Sequence, residues 1–559
     1  MSHGARVAIV LFALLAVEAE GKEIFVSTTG SDGNSGATSL LALKTIAAAT
    51  AKAEPGDVIQ ILPGRYEQSI APTRSGVPGK PIAYKRFGSS PVVLTHTYTE
   101  GLRAAIDLYQ VSHIVVDGID VDGVKPGPDA KVLHFAHIKD ASQVVIRNCN
   151  FRYSNGYFGV YVGGASSYVT IEDCSIDWTG LYNNGNTGNS DFGDLVAFDR
   201  SVHHVLVQRN RFKHGPHDVI VMKGQYGIIQ DNVFSNDYSD VYGGDVGGRV
   251  GAMVGANNVY QRNLFTKSGR SSDAPWNSFT KFEGESNIAR LNVFAYGHQE
   301  ALQSDAAQWS PVAHNNRAYN NTFYRLGASA WRNCWFDGGQ KIGNNKFINN
   351  LVVDSRMNPV KGSLDNDVTI AVTGAGAGDL AGNQVFSNIF SPAGGKAPII
   401  LVYGGANDVD LQTAESKYPQ NFGRNTWKRP LFVSSNPQVL QDFDLQSGSP
   451  GVDEGMFVTT VVRSGTSDRV QVGDSKFFID GFGLIPGDVI KLQGTSTTAR
   501  VVAIDHSTNT LQLSQSLTFR AGQGIALDYS GSAPDIGARE RGGSAVVGAP
   551  APPSGLSVQ

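Results

Sequence analysis

The sequence predicts an all-β fold, a parallel β-helix in which short strands stack coil upon coil. Three observations carry this: a pattern that recurs nine times, strand-type alternation within each copy, and an abundance of Gly and Asn at the turns. The pattern is apolar alternation, a polar pair, Asn or Cys, any residue, then Phe, Ile or Val. It closes at Phe151 (VVIRNCNF), Ile176 (VTIEDCSI), Phe212 (VLVQRNRF), Phe234 (GIIQDNVF), Phe265 (NVYQRNLF), Phe294 (IARLNVF), Phe323 (AYNNTF), Val352 (FINNLV) and Phe390 (VFSNIF). Its key position is Cys149, Cys174, Asn210, Asn232, Asn263, Asn292, Asn321, Asn350 and Asn388, at steps of 22 to 38 residues with three successive steps of 29.

The shortest step is too short for a two-helix repeat, and the β-branched, alternating segments read as strands. Three short strands and three turns fill about 22 residues, with variable turns absorbing the excess. Stacking the coils sets each Asn above the next, where amides can bond along a ladder. The apolar residue two positions later then faces the core.

The remaining elements follow in chain order. Residues 1–19 (MSHGARVAIVLFALLAVEA) combine Arg6, an apolar run from Val7 to Val17 and a small-residue cleavage pattern, so they read as a secretory signal peptide. The run is too short to span a bilayer, and no later segment is a membrane-spanning candidate. Residues 20–104 hold EIFVSTTGSDGNSG and an amphipathic helix within LLALKTIAAATAKAEPGDVIQILPGRYEQ, an N-terminal cap with the first coils. The β-helix occupies residues 105–455. Residues 456–527 carry short alternating strands between Gly-rich turns and read as a small β-domain insert. DFDLQSGSPGVDEG before it and DYSGSAPDIGARE after it look like two halves of one closing motif, spanning 528–540 on the far side, and 541–559 have a disordered-tail composition.

The balance of 46 Lys+Arg against 50 Asp+Glu, a formal charge of −4, excludes a global attraction to nucleic acid or an anionic membrane. Any anionic ligand must meet a local basic patch. Three cysteines, Cys149, Cys174 and Cys334, are an odd number and cannot form a disulfide framework; the first two sit at equivalent repeat positions and read as small core residues.

IFVSTTGSDGNSG with LKTIAAATAKAEPGDVIQILPGRYEQ resembles the N-terminal segment of secreted right-handed parallel β-helix proteins of the pectate-lyase-like superfamily, calcium-dependent pectate lyases among them. The Asn-x-Phe coils and the SPGVDEG…APDIGARE closure extend the resemblance over most of the mature chain. It implies right-handed coils, and it implies a class of lyases, hydrolases, epimerases and adhesins rather than one reaction. Calcium is the cofactor it implies, although the Asp cluster of those enzymes has no clear match; Asp237, Asp240 and Asp245 on one long turn are the nearest acidic group.

Counting back from the Asn position aligns YFGVYVGG, GDLVAFDR, HDVIVMKG, GRVGAMVG and NSFTKFEG as stacked strands. Alternation turns Val160, Val162, Val196, Phe198, Ile220, Met222, Met253 and Phe282 inward. It turns Tyr157, Tyr161, Asp199, His217, Lys223, Lys281 and Glu283 outward, onto a groove, with Trp178 and Trp276 nearby as stacking surfaces. Asp194, Asp218 and Arg249 fall in a different column, as support for His217 or as an ion pair.

The favoured chemistry is β-elimination on an anionic, uronic-acid-containing polysaccharide by a secreted monomer. It needs a cation at the substrate carboxylate and a base for the C5 proton. Lys223 or His217 is the expected base; Arg249, Lys281 and Asp199 neutralise or position the substrate, and Tyr157, Tyr161 and Glu283 complete the binding set. Epimerisation would reuse the same proton abstraction. Glycoside hydrolysis needs carboxylates about 5 Å or 7 to 9 Å apart; Asp199 and Glu283 lie three coils, about 14 Å, apart, which leaves a pair from turns, such as Glu283 with Glu285 or Glu300, as the alternative. A non-catalytic carbohydrate-binding or surface protein is the remaining class.

Overall fold

A computed structural model describes residues 21–95, 104–124, 132–154, 156, 158–179, 194–215, 218–236, 249–268, 279–297, 301–304, 312–326, 331–333, 341–355, 368–373, 382–395, 397–403 and 409–542. The segment 1–19, Tyr157, His217, Trp276, Cys334, the acidic turn at Asp237, Asp240 and Asp245, and most of the tail lie outside them.

Three long parallel sheets form the body. Sheet A has 14 strands from Glu23–Val26 to Phe422–Gly423, and sheet B has 13 from Gly64–Tyr66 to Thr426–Trp427. Sheet C has 12, from Ile106–Tyr109 to Ile399–Tyr403 plus the antiparallel Val409–Asp410. Each full coil visits C, then A, then B, as in Asp194–Phe198, His203–Gln208 and Arg211–Lys213. Sheets A and B thus begin well before residue 105, because strands Val58–Ile61, Ile82–Arg86 and Val92–Leu94 already stack in them.

The corner from A to B is a tight turn: one residue in the left-handed region, such as Arg209 (φ 54°), Asp231 (57°) or Arg262 (55°), followed by the repeat Asn. Left-handed backbone is unfavourable for these residue types, and the ladder offsets it. Asn Nδ2 donates to the next Asn Oδ1 from Asn210 through Asn232, Asn263, Asn292, Asn321, Asn350 and Asn388 to Asn425, at 2.9 to 3.1 Å throughout. Each Oδ1 also accepts the preceding ladder residue's backbone N–H, as from Asn232 to Asn263 at 3.0 Å. Beneath it Phe212, Phe234, Phe265, Phe294 and Phe323 stack with ring centroids 4.6 to 5.1 Å apart. Cys149 and Cys174 are buried and free.

The helix Ile46–Lys52 is capped by Thr45, whose hydroxyl accepts from Ala48 N at 3.1 Å; its buried Ile46 and Ala49 join the same core. The outer face of sheet B is covered by the chain's later return, where Leu264, Val293, Tyr324, Leu351 and Ile389 pack with Phe432, Leu440, Phe443, Ile536 and Ala538. Residues Met456–Pro534 form a compact unit of their own with a six-stranded, largely antiparallel sheet. Tyr529 belongs to that unit, packing on Phe457, while Asp535 onward belongs to the β-helix.

Candidate functional site

The outer face of sheet C is where chemistry-bearing side chains accumulate. The strands pair as Val160↔Val196↔Ile220↔Gly251↔Thr280, the alignment obtained by counting back from the Asn. Two outward rows result. One runs Asp107, His137, Tyr161, Ala197, Val221, Ala252, Lys281. The other lies two residues further along each strand and contains Lys139, Asp199, Lys223 and Glu283. Neighbouring strands are about 4.8 Å apart and the rows about 6.7 Å.

At the floor of this face Val221, Ala252 and Val254 form a small buried apolar cluster of their own. Toward the N-terminal coils the row turns polar. His137 Nδ1 lies 3.0 Å from Asp107 Oδ1, with both side chains no more than a tenth exposed. The His137 ring stacks on Tyr161, centroids 5.6 Å apart and planes 14° apart. Tyr161 Oη in turn donates to Asp199 Oδ2 at 3.2 Å. Burial, and then the Asp199 charge, hold the Tyr161 phenol above its ordinary range, so it stays protonated at neutral pH. Neither Asp107 nor His137 stood out in the sequence. The signal was available: continuing the strand alignment by two coils sets AIDLYQ and FAHIKD beneath YFGVYVGG.

The sequence-selected residues divide. Tyr161, Asp199 and Lys223 are half-buried on the outer face, with Asp199 and Lys223 on adjoining strands. Lys281 is there too, but its Nζ is 3.1 Å from Glu283 Oε1, and Glu283 is fully buried. Glu283 therefore holds Lys281 and is no open groove residue, contrary to expectation. Asp194 and Asp218 are buried, as their column implied, and Asp218 pairs with Arg249 across the strands; the Arg249 side chain lies outside the described residues. Strict alternation fails at the strand starts, because Leu195, Val219, Val250 and Phe279 also belong to the core. Trp178 is no groove platform. It follows sheet B, its ring lies 3.6 Å from that of His214, and His214 Nδ1 bonds Asp177.

A shallow depression of about 370 Å³ lies at the turn from sheet C to sheet A, lined by Arg200, Ser201, His203, His204, Gln225 and Tyr226. Tyr168, His204 and Tyr226 stack on one another there at 5.0 and 5.1 Å, so the facing sides of these rings are already occupied. Among the described residues no three His, Cys, Asp or Glu side chains are grouped to hold a cation.

The fold is that of a right-handed parallel β-helix, and residues 104–288 match the family described as right handed beta helix region. The uncharacterized protein YwoF of Bacillus subtilis (strain 168) is 25% identical over 176 residues, 31% of this chain and 32% of that protein. The match thus spans about a third of that relative's length. Among solved structures, the pectate lyase Pel9A aligns at 14% identity and TM-score 0.44, over 94% of this chain and 98% of that one. An alginate lyase from Paenibacillus sp. str. FPU-7 aligns at 15% and 0.37, over 53% and 93%. The GH136 lacto-N-biosidase from Eubacterium ramulus aligns at 13% and 0.37, over 69% and 67%. Shared shape leaves the reaction to be argued from side chains.

Proposed function

We propose that the outer face of sheet C binds a uronic-acid-containing polysaccharide and that the protein, exported through its first 19 residues, cleaves it by β-elimination. One observation carries this reading. Asp107, His137, Lys139, Tyr161, Asp199 and Lys223 are stacked along five successive coils of a single sheet face, with Lys281 two coils further on beyond Ala252, giving an extended polar strip rather than a closed pocket. Such a strip suits a linear anionic chain. Lysines spaced along it meet carboxylates, and Tyr161 and Asp199 supply hydrogen bonds to hydroxyls. Calcium remains a proposed cofactor only, with Asp237, Asp240 and Asp245 as the acidic residues that would be tested by substitution.

By strand parity Lys223 or His217 is the candidate acceptor of the C5 proton, with Arg249 as a further cation. Lys223→Ala that folds normally and keeps full turnover removes Lys223 from that role. Hydrolysis by Asp199 and Glu283 is disfavoured by the burial of Glu283.

The test is incubation with a panel of uronate polysaccharides. Ultraviolet absorbance of a 4,5-unsaturated uronate together with new reducing ends supports elimination. New reducing ends without that absorbance mean hydrolysis, and retention of a polysaccharide with neither signal means a binding protein. The export part is tested by N-terminal sequencing of the protein recovered outside the producing cell.

A further inference from the structure

We infer that the proton acceptor of the proposed elimination is His137, oriented by Asp107, with Lys139 as the cation that meets the substrate carboxylate. This rests on the reading of the sheet C face as a lyase groove, and it moves the reacting centre to the N-terminal side of the Lys223 rung.

The geometry of the pair is that of an oriented base. Asp107 Oδ1 lies 3.0 Å from His137 Nδ1, so the carboxylate fixes the proton on Nδ1 and leaves Nε2 as the acceptor nitrogen. Among the described residues Nε2 has no protein partner. Tyr161, stacked on the imidazole at 5.6 Å and tied to Asp199 at 3.2 Å, fixes the ring from the adjacent coil and acts as a positioning residue. The other ionisable groups around His137 are His134 and Lys139 on its own segment, with Asp199 beyond Tyr161.

Lys139 supplies the second requirement. It follows His137 by two residues, so it projects from the same face about 6.7 Å away, and among the described residues its ammonium has no carboxylate partner. A uronate carries its carboxylate on the carbon that loses the proton. Base and cation must therefore stand side by side, as these two do. Lys223 is three strands from His137 and one row across, about 16 Å away by strand and row spacing, so the two cannot serve one bond.

The step balances without a further reagent. His137 Nε2 takes the C5 proton, the C5–H electrons form the C4=C5 double bond, and the C4–O4 bond breaks. The departing oxygen takes a proton from water, and the hydroxide formed removes the proton from the imidazolium, restoring both.

The experiment compares full-length wild type with His137→Gln, Asp107→Asn and Lys139→Ala on the uronate polysaccharide that gives the strongest ultraviolet signal, each first matched to wild type in thermal midpoint. His137→Gln is expected to lose at least 100-fold in kcat, in line with the usual contribution of a positioned base. Asp107→Asn is expected to lose at least tenfold in kcat with KM nearly unchanged, the split expected when a base loses its orientation while substrate binding is kept; a merely structural role would move KM as well. Lys139→Ala should raise KM and lower kcat, with partial rescue by Lys139→Arg. A folded His137→Gln within twofold of wild type overturns the assignment while the lyase reading stands. Wild type that yields no unsaturated product on any uronate polysaccharide overturns the lyase reading and the assignment together.

Discussion

Burial in a stack of coils changes the protonation of Asp120. Its Oδ1 accepts the Asn150 backbone N–H at 2.9 Å, and desolvation outweighs the nearby Arg86 and Arg152 charges, pushing the carboxyl up to about 6. A carboxyl with a raised folded-state pKa binds its proton more tightly in the native than in the unfolded chain, so stability falls as pH rises from about 4 to about 6. Asp120→Asn keeps the acceptor and removes the charge. It should raise the denaturation free energy at pH 7 by up to about 3 kcal/mol and change it little at pH 4; equal effects at the two pH values would contradict the account. Asp120 shows why single residues were hard to read from sequence, since VDGIDVDG does not say which of its acids is enclosed. The candidate site divides in the same way. Tyr161, Asp199 and Lys223 were legible because parity places them outward, and Asp107 and His137 became legible once the alignment was carried two coils further. The burial of Glu283 was not legible, because parity sets the direction of a side chain and not its enclosure.

At the scale of one turn, the repeated Asn is the part of the fold most open to reading. Nine copies fixed the stacking position, and the amide ladder follows from hydrogen-bond chemistry alone. The left-handed residue before each Asn was not foreseen, because Arg209, Arg262 and Leu291 (φ 56°) are not residues that announce such a backbone. Within the 20–104 segment expected to hold the cap and the first coils, strands Val58–Ile61 and Gly64–Tyr66 join sheets A and B without the Asn signature. Asn263 makes the ladder testable. Its Nδ2 donates to Ile229 O at 2.9 Å and Asn292 Oδ1 at 3.0 Å, and its Oδ1 accepts from Asn232 N at 3.0 Å. Asn263→Ala strands a buried N–H and a buried carbonyl at once, a loss of about 2–4 kcal/mol at the ordinary cost of unsatisfied groups. Denaturant titration should show that loss as a lower midpoint with an unchanged slope. A change below about 0.5 kcal/mol would mean the ladder is replaceable by water.

At the scale of the whole chain, the two closing segments meet although the Met456–Pro534 unit separates them in sequence. Asp453 N donates to Asp535 Oδ1 at 2.8 Å, Ile536 N donates to Gly451 O at 2.8 Å, and Arg539 Nε donates to Asp444 Oδ1 at 2.6 Å. The second segment also ties back to the coils through Asn320 Nδ2 to Asp535 O at 2.7 Å and Ala538 N to Thr322 Oγ1 at 3.0 Å. Residues Asp453 and Asp535, which flank the insertion, therefore stand side by side, the arrangement in which insertion and excision are tolerated. A shortened chain joining Gly455 to Asp535 through a few Gly and Ser residues should fold with a thermal midpoint within several degrees of the parent. Replacing Ile536 and Arg539 by Ala in the full-length chain should cost more than that excision, because it uncovers apolar side chains on the outer face of sheet B and breaks the Asp444 pair. Calorimetry of the two variants gives the order. If excision is the more destabilising change, the Met456–Pro534 unit supports the β-helix directly, and the closing segments are not what fastens this end of the chain.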